Sequence, residues 1–265
     1  MKIISLLLLL PCFALISCQQ SQAGKEPEDQ TPVDSAFELI HPEEQEFPEE
    51  DSVSDLSEFG DAIEIGELEK ALIEAGLVDI QTVESSILVE LKYATADNFL
   101  GENVYGTLRN CYLQPVVADM LATAQRNLQA ERPDLSLLVY DGVRPRSVQY
   151  KMWDIVKGTD QQNYVASPKA GSMHNYGASV DLTLATTEGE PLDMGTPFDF
   201  FGPQAQPRFE EKYLQSGELN AQQVKNRRIL RASMQSAGFH IILSEWWHFN
   251  AFARDTIKAR FTAVE

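Results

Sequence analysis

Four residues in two short segments have the types and spacing of a hydrolytic site. In "GSMHNYGASVDLTL", residues 171–184, His174 and Asp181 stand seven apart around Gly177; in "SEWWHFN", residues 244–250, Glu245 and His248 stand three apart. Two imidazoles and one carboxylate form a three-ligand set that leaves a fourth position open on a zinc ion. His174, Asp181 and His248 would be those ligands, and Glu245 would stay free to act as base. Each segment also has a plainer reading. The first could be a strand with a solvated outer face and a loop histidine, and the second a pair of tryptophans capping the core beside a satisfied histidine.

Whether these residues can meet depends on the elements that carry them. Period 2 in "GASVDLTL" sets Ala178, Val180, Leu182 and Leu184 on one strand face and Ser179, Asp181 and Thr183 on the other. A half-buried carboxylate there needs a partner to offset its desolvation, and Gly177 permits a turn that folds His174 back towards it. "GFHIILSEWWHFN" reads as the last strand. On an ideal strand Glu245 and His248 point to opposite faces, so a bulge or turn is required between them. Upstream, "GELEKALIEAG" is a helix stopped at Gly76, and "SSILVELKYA" alternates as a strand. "PVVADMLATAQRNLQAERP" is a helix from Pro115 to before Pro133, "LSLLVYDG" a short buried strand and "RSVQYKMWDIVKG" a helix. A further helix spans residues 220–237, with Val224, Leu230 and Met234 inward and Gly238 as the stop. Strands separated by helices argue a mixed α/β layer structure.

Composition divides the chain into three parts. Residues 1–18 open with one lysine and an apolar run, Ile3 to Ile16, too short to span a membrane but right for an export signal. The run ends in "LISC", which resembles the lipobox of bacterial lipoproteins; the resemblance makes Cys18 the lipidated first residue of an exported, membrane-anchored protein. Cleavage after Ala23 and an uncleaved anchor are the alternatives. Residues 19–60 hold thirteen acidic residues against Lys25, a net charge of −12, and have the composition of a solvated tether. Residues 61–265 carry −8 and are long enough for one domain with a full core. No basic stripe exists to neutralise phosphates, which excludes nucleic acid as an expected partner. Processing at Cys18 would leave Cys111 as the lone free thiol, a small buried residue rather than part of a disulfide framework.

Taken together, "SMHNYGASVDL" and "SEWWH" resemble the S-x-H-x(3)-G-x-A-x-D-L and E-x-W-H patterns of zinc DD-peptidases. "KYATADNFLGENVYG", "YDGVRPRSVQ", "MGTPFDFF" and "NRRILRASMQSAGF" look like the VanX-type D-alanyl-D-alanine dipeptidases in particular. The resemblance runs from about Ile87 to Asn250. It implies an α+β fold with a central, mostly antiparallel sheet flanked by helices, and zinc-dependent hydrolysis of free D-Ala-D-Ala. His174, Asp181 and His248 fall on the family's ligands to one zinc ion, and Glu245 on its base. Arg144 falls on the arginine that stabilises the transition state, and Tyr93 and Asp199 fall where the substrate's amino terminus is held. Val143 departs from the bulky aromatic usual before that arginine.

Other readings stay open beside this one. A carboxypeptidase or endopeptidase acting on peptidoglycan stems would use the same chemistry, and a non-catalytic relative would keep the metal alone. His41 falls in the tether. His240 reads as a strand residue rather than a fourth ligand, and Arg146 as a surface-paired arginine. Trp153 and Phe200 read as core or pocket wall. The partners expected are a small peptide substrate and, through Cys18, a membrane.

Overall fold

The computed structural model describes residues Ile65–Glu265. The export signal, Cys18, His41 and the acidic segment lie outside the described residues. In chain order the first elements are helix α1 (Glu67–Glu74), strand β1 (Val78–Asp79), helix α2 (Ile80–Val83) and strands β2 (Leu88–Val89) and β3 (Tyr112–Leu113). Helix α3 (Pro115–Glu131), strand β4 (Leu135–Asp141), helix α4 (Arg146–Val156) and strand β5 (Ser179–Thr186) follow. Helices α5 (Glu210–Ser216) and α6 (Ala221–Ser236), strands β6 (His240–Ile241) and β7 (His248–Asn250), and helix α7 (Arg254–Arg260) complete the order.

Five strands form the central sheet in the order β2-β4-β5-β7-β6. Every pairing in it is antiparallel except β2 with β4. With helices packed against it, this is the α+β architecture expected. The long helices follow local chemistry. Pro115 opens α3 at a position where a missing N–H costs nothing, and the chain leaves the helix at Arg132, before Pro133. Val117, Leu121, Ala124 and Leu128 give α3 its buried face. At α6, Asn220 and Gln223 exchange side-chain bonds in a capping box (2.9 and 2.8 Å). The inward residues Val224, Leu230 and Met234 are buried. Among the described residues no helix is long and apolar enough to cross a membrane.

The structure changes four expectations. "GFHIILSEWWHFN" is not one strand. Only His240–Ile241 and His248–Asn250 are extended and paired, and bends at Trp246 and Trp247 supply the turn between Glu245 and His248. "SSILVELKYA" pairs only at Leu88–Val89, and Lys92–Ala94 turn as a 3-10 segment. Strand β5 has no solvated face: Ser179, Asp181 and Thr183 are as buried as Val180 and Leu182, because the segment after Glu190 lies beside Thr183 while Asn250 meets Ser179 and His174, His248 and Arg144 enclose Asp181. Phe200 is exposed, and its neighbour Phe201 forms the wall instead.

Candidate active site

Strand register builds the site. Asp141 on β4 stands opposite Asp181 on β5, and Asp181 stands opposite His248 on β7, so three adjacent strands present one row of polar side chains. The register slips between Val139 and Asp141, a local irregularity that lets the chain leave β4 at Asp141. His174 reaches the row from a 3-10 turn, Met173–Tyr176, that ends at Gly177 with φ +61°. A side chain at Gly177 would collide with Leu77 as well as being strained, so the turn requires glycine.

One nitrogen of each imidazole is already committed. His174 Nδ1 donates to the Gly142 carbonyl (2.7 Å), and His248 Nε2 donates to Asn250 Oδ1 (3.0 Å), which also accepts from Ser179 Oγ (2.5 Å). Those acceptors fix the tautomers. The second nitrogens, His174 Nε2 and His248 Nδ1, then turn their lone pairs inward, 3.1 Å apart and 3.2 and 2.9 Å from Asp181 Oδ1. Three electron-pair donors converge on one point, as metal ligands supported by outer hydrogen bonds do. Electrostatics agree with that fit. Burial disfavours charge on Asp181, yet the imidazoles outweigh it and hold the carboxylate far below its ordinary range. Burial likewise opposes charge on His248, but its bond to Asp181 raises its pKa. The cluster attracts positive charge.

Around it lies a cavity of about 280 Å³ whose wall includes Tyr93, Arg144, Asp199, Glu245 and Trp247. Glu245 faces it and accepts no hydrogen bond among the described residues. Burial lifts its carboxyl to about 7 against the pull of His248 and Arg144, and Asp181 adds to the rise. Arg144 is buried and clamped: Nε and Nη2 donate to Asp141 Oδ2 (2.9 and 2.6 Å), Nη1 to Gln149 (3.2 Å), and Nη2 lies 3.4 Å from Asp181. Its guanidinium also sits 5.1 Å from the Tyr93 ring centre. The Tyr93 hydroxyl donates to Asp199 (2.8 Å), whose carboxyl burial pushes well above the usual range. Asp199 is the sole non-glycine residue with positive φ (+57°) among the described residues, a local strain that aims its side chain into the cavity wall.

Comparison with known proteins agrees with this geometry. The profile of the M15 peptidases, described as D-Ala-D-Ala dipeptidase, matches residues 73–264. The chain belongs to that family. It is 33% identical to a D-alanyl-D-alanine dipeptidase of Escherichia coli over 174 residues, 65% of this chain and 83% of the relative. It is 30% identical to one of Enterococcus faecalis over 196 residues, 67% and 92%. A third, from Streptomyces coelicolor, is 31% identical over 188 residues, 64% and 88%. The chain is a peptidase of a metallopeptidase family, with a His/Asp/His group able to hold a metal ion.

All seven site residues expected within the described part line this one cavity. His240 does not; it is an exposed strand residue. Arg146 pairs with Glu265 at the surface (3.0 Å). Val143 is buried in the core. Sequence reasoning gave no role to Asp141, which carries Arg144 and also accepts from Tyr105 (2.6 Å), or to Asn250 and Gly142, which fix the imidazoles. Asp141 stood unremarked at the end of the strand "LSLLVYDG", and only the strand register shows it opposite Asp181.

Proposed function

We propose that the chain is a zinc-dependent D-alanyl-D-alanine dipeptidase, with one zinc ion held by His174 Nε2, Asp181 Oδ1 and His248 Nδ1. The observation that carries the proposal is the convergence of three lone-pair donors beside a carboxyl, Glu245, that has no hydrogen-bond partner among the described residues. Zinc in such a set acts as a Lewis acid and brings a bound water near pKa 7.

The chain's own residues then divide the work. Glu245 takes a proton from the water as oxygen attacks the scissile carbonyl carbon, and returns it to the amide nitrogen as the C–N bond breaks. Arg144 keeps its charge at every working pH and stabilises the negative charge developing on the carbonyl oxygen, while Asp141 and Gln149 prevent it from swinging away. Asp199, supported by Tyr93, pairs with the substrate ammonium. A buried carboxyl raised in pKa is short of positive charge, and an ammonium supplies it. The cavity's volume, near the lower limit of small-molecule sites, suits a dipeptide better than a peptidoglycan stem.

The "LISC" motif supports an exported protein anchored through lipid on Cys18, and an exported dipeptidase fits cell-wall peptide turnover or scavenging. The test of the central reading is metal content and hydrolysis of D-Ala-D-Ala by wild type and His248→Ala. The variant should lose zinc and activity together. Retention of both overturns the ligand set, and equal rates on D-Ala-D-Ala and its N-acetyl form favour a carboxypeptidase.

A further inference from the structure

The substrate proposed above is a zwitterion. Asp199 answers its ammonium, and its carboxylate needs a cation with donors to spare. Two arginines line the cavity, Arg144 and Arg254. Arg144 is ion-paired with Asp141 and spends four of its five N–H groups on Asp141, Asp181 and Gln149, which leaves one on Nη1 for the developing oxyanion and none for a carboxylate. Arg254, the first residue of α7, uses only Nη2, which donates to the carbonyls of Ala170 and of Gly171 (3.0 Å). These are its only hydrogen bonds among the described residues, and it joins no ion pair there. Carbonyl oxygens orient a guanidinium without neutralising it, so Nε and Nη1 keep their donors and the group keeps its full charge. Lys258, one helical turn on, donates to the same Ala170 carbonyl (2.8 Å). Two cations therefore gather on the lip that runs into Ser172 and the His174 turn, in a part of the chain whose net charge is −8.

We infer that Arg254 determines specificity by binding the C-terminal carboxylate of the dipeptide, with Lys258 strengthening the positive field at that lip. The assignment rests on the dipeptidase reading. It makes the cavity complementary to both ends of a free dipeptide: a carboxyl in one part of its wall and an unneutralised arginine in another. The fork geometry of the guanidinium suits a carboxylate, which offers two oxygens side by side.

The test compares D-Ala-D-Ala with its C-terminal amide on zinc-loaded wild type, Arg254→Met and Arg254→Lys. Wild type should prefer the free acid. In Arg254→Met, kcat/KM for the acid should fall roughly tenfold or more, the scale of one charged hydrogen bond. The fall should lie mainly in KM, while the amide changes less than about threefold, so the preference collapses; Arg254→Lys should restore part of it. Zinc content should be unchanged in both variants. If acid and amide decline in parallel, or if the preference survives in Arg254→Met, Arg254 only braces the lip and the assignment fails while the dipeptidase reading stands. If zinc-loaded wild type hydrolyses neither compound, both fall.

Discussion

Glu245 is buried, whereas the base role proposed for it needs a charged carboxylate, and the conflict has a measurable size. A carboxyl whose folded pKa, about 7, stands above its ordinary 4.5 binds a proton more tightly in the folded state. Its contribution is therefore fully present below pH 4.5 and is lost as pH rises towards 7, by at most about 3 kcal/mol. Metal-free Glu245→Gln should be more stable than metal-free wild type at pH 8, by about 1–3 kcal/mol, and no more stable at pH 4. Urea denaturation at the two pH values reads this directly, and a constant difference would show that Glu245 is not strained by burial. With zinc bound, the same variant should keep its metal and lose roughly a hundredfold or more in turnover, because shape is preserved and the proton acceptor is gone. Wild-type rates would move the base elsewhere.

At the scale of elements, the long helices were legible because punctuation brackets them: Pro115 and Pro133 around α3, the Asn220 cap and Gly238 around α6. The paired motifs were legible because their spacing is local. What covers β5 was not, since the segment between Glu190 and Gln206 has no period to read, and its hold on the molecule comes from a distant helix. Arg227 on α6 is fully buried and donates to Met194 (2.7 Å) and Gln204 (2.9 Å), at either end of the stretch that carries Asp199. Its guanidinium lies 5.8 Å from the Trp246 ring centre, and Trp246 in turn donates to Thr196 (2.8 Å). Sequence shows Arg227 only as one arginine in "NRRILR". Arg227→Met should lower stability by about 2–4 kcal/mol, since two buried carbonyls lose their donor. It should also raise KM for D-Ala-D-Ala by loosening Asp199, with zinc content intact. Unchanged KM in a folded Arg227→Met protein would detach the clamp from the site.

For the whole molecule, charge and location are linked. Of the formal −19, the segment 19–60 holds −12, a polyanion between the proposed anchor and the enzyme. If lipid on Cys18 is the attachment, wild type should enter the detergent phase on partitioning, and Cys18→Ser should move to the aqueous phase. A variant that still follows detergent would make the retained apolar leader the anchor. The His/Asp/His group draws on a turn at 174, a strand at 181 and a strand at 248, so its outermost donors stand 74 residues apart in the chain. Domains emerge from synthesis amino-terminal end first. A growing chain thus holds none of the three ligands before residue 174, two of them from residue 181, and all three only from residue 248. The order of biosynthesis leaves this group of donors incomplete until residue 248 is made, and before then no stretch of the chain can offer an ion all three.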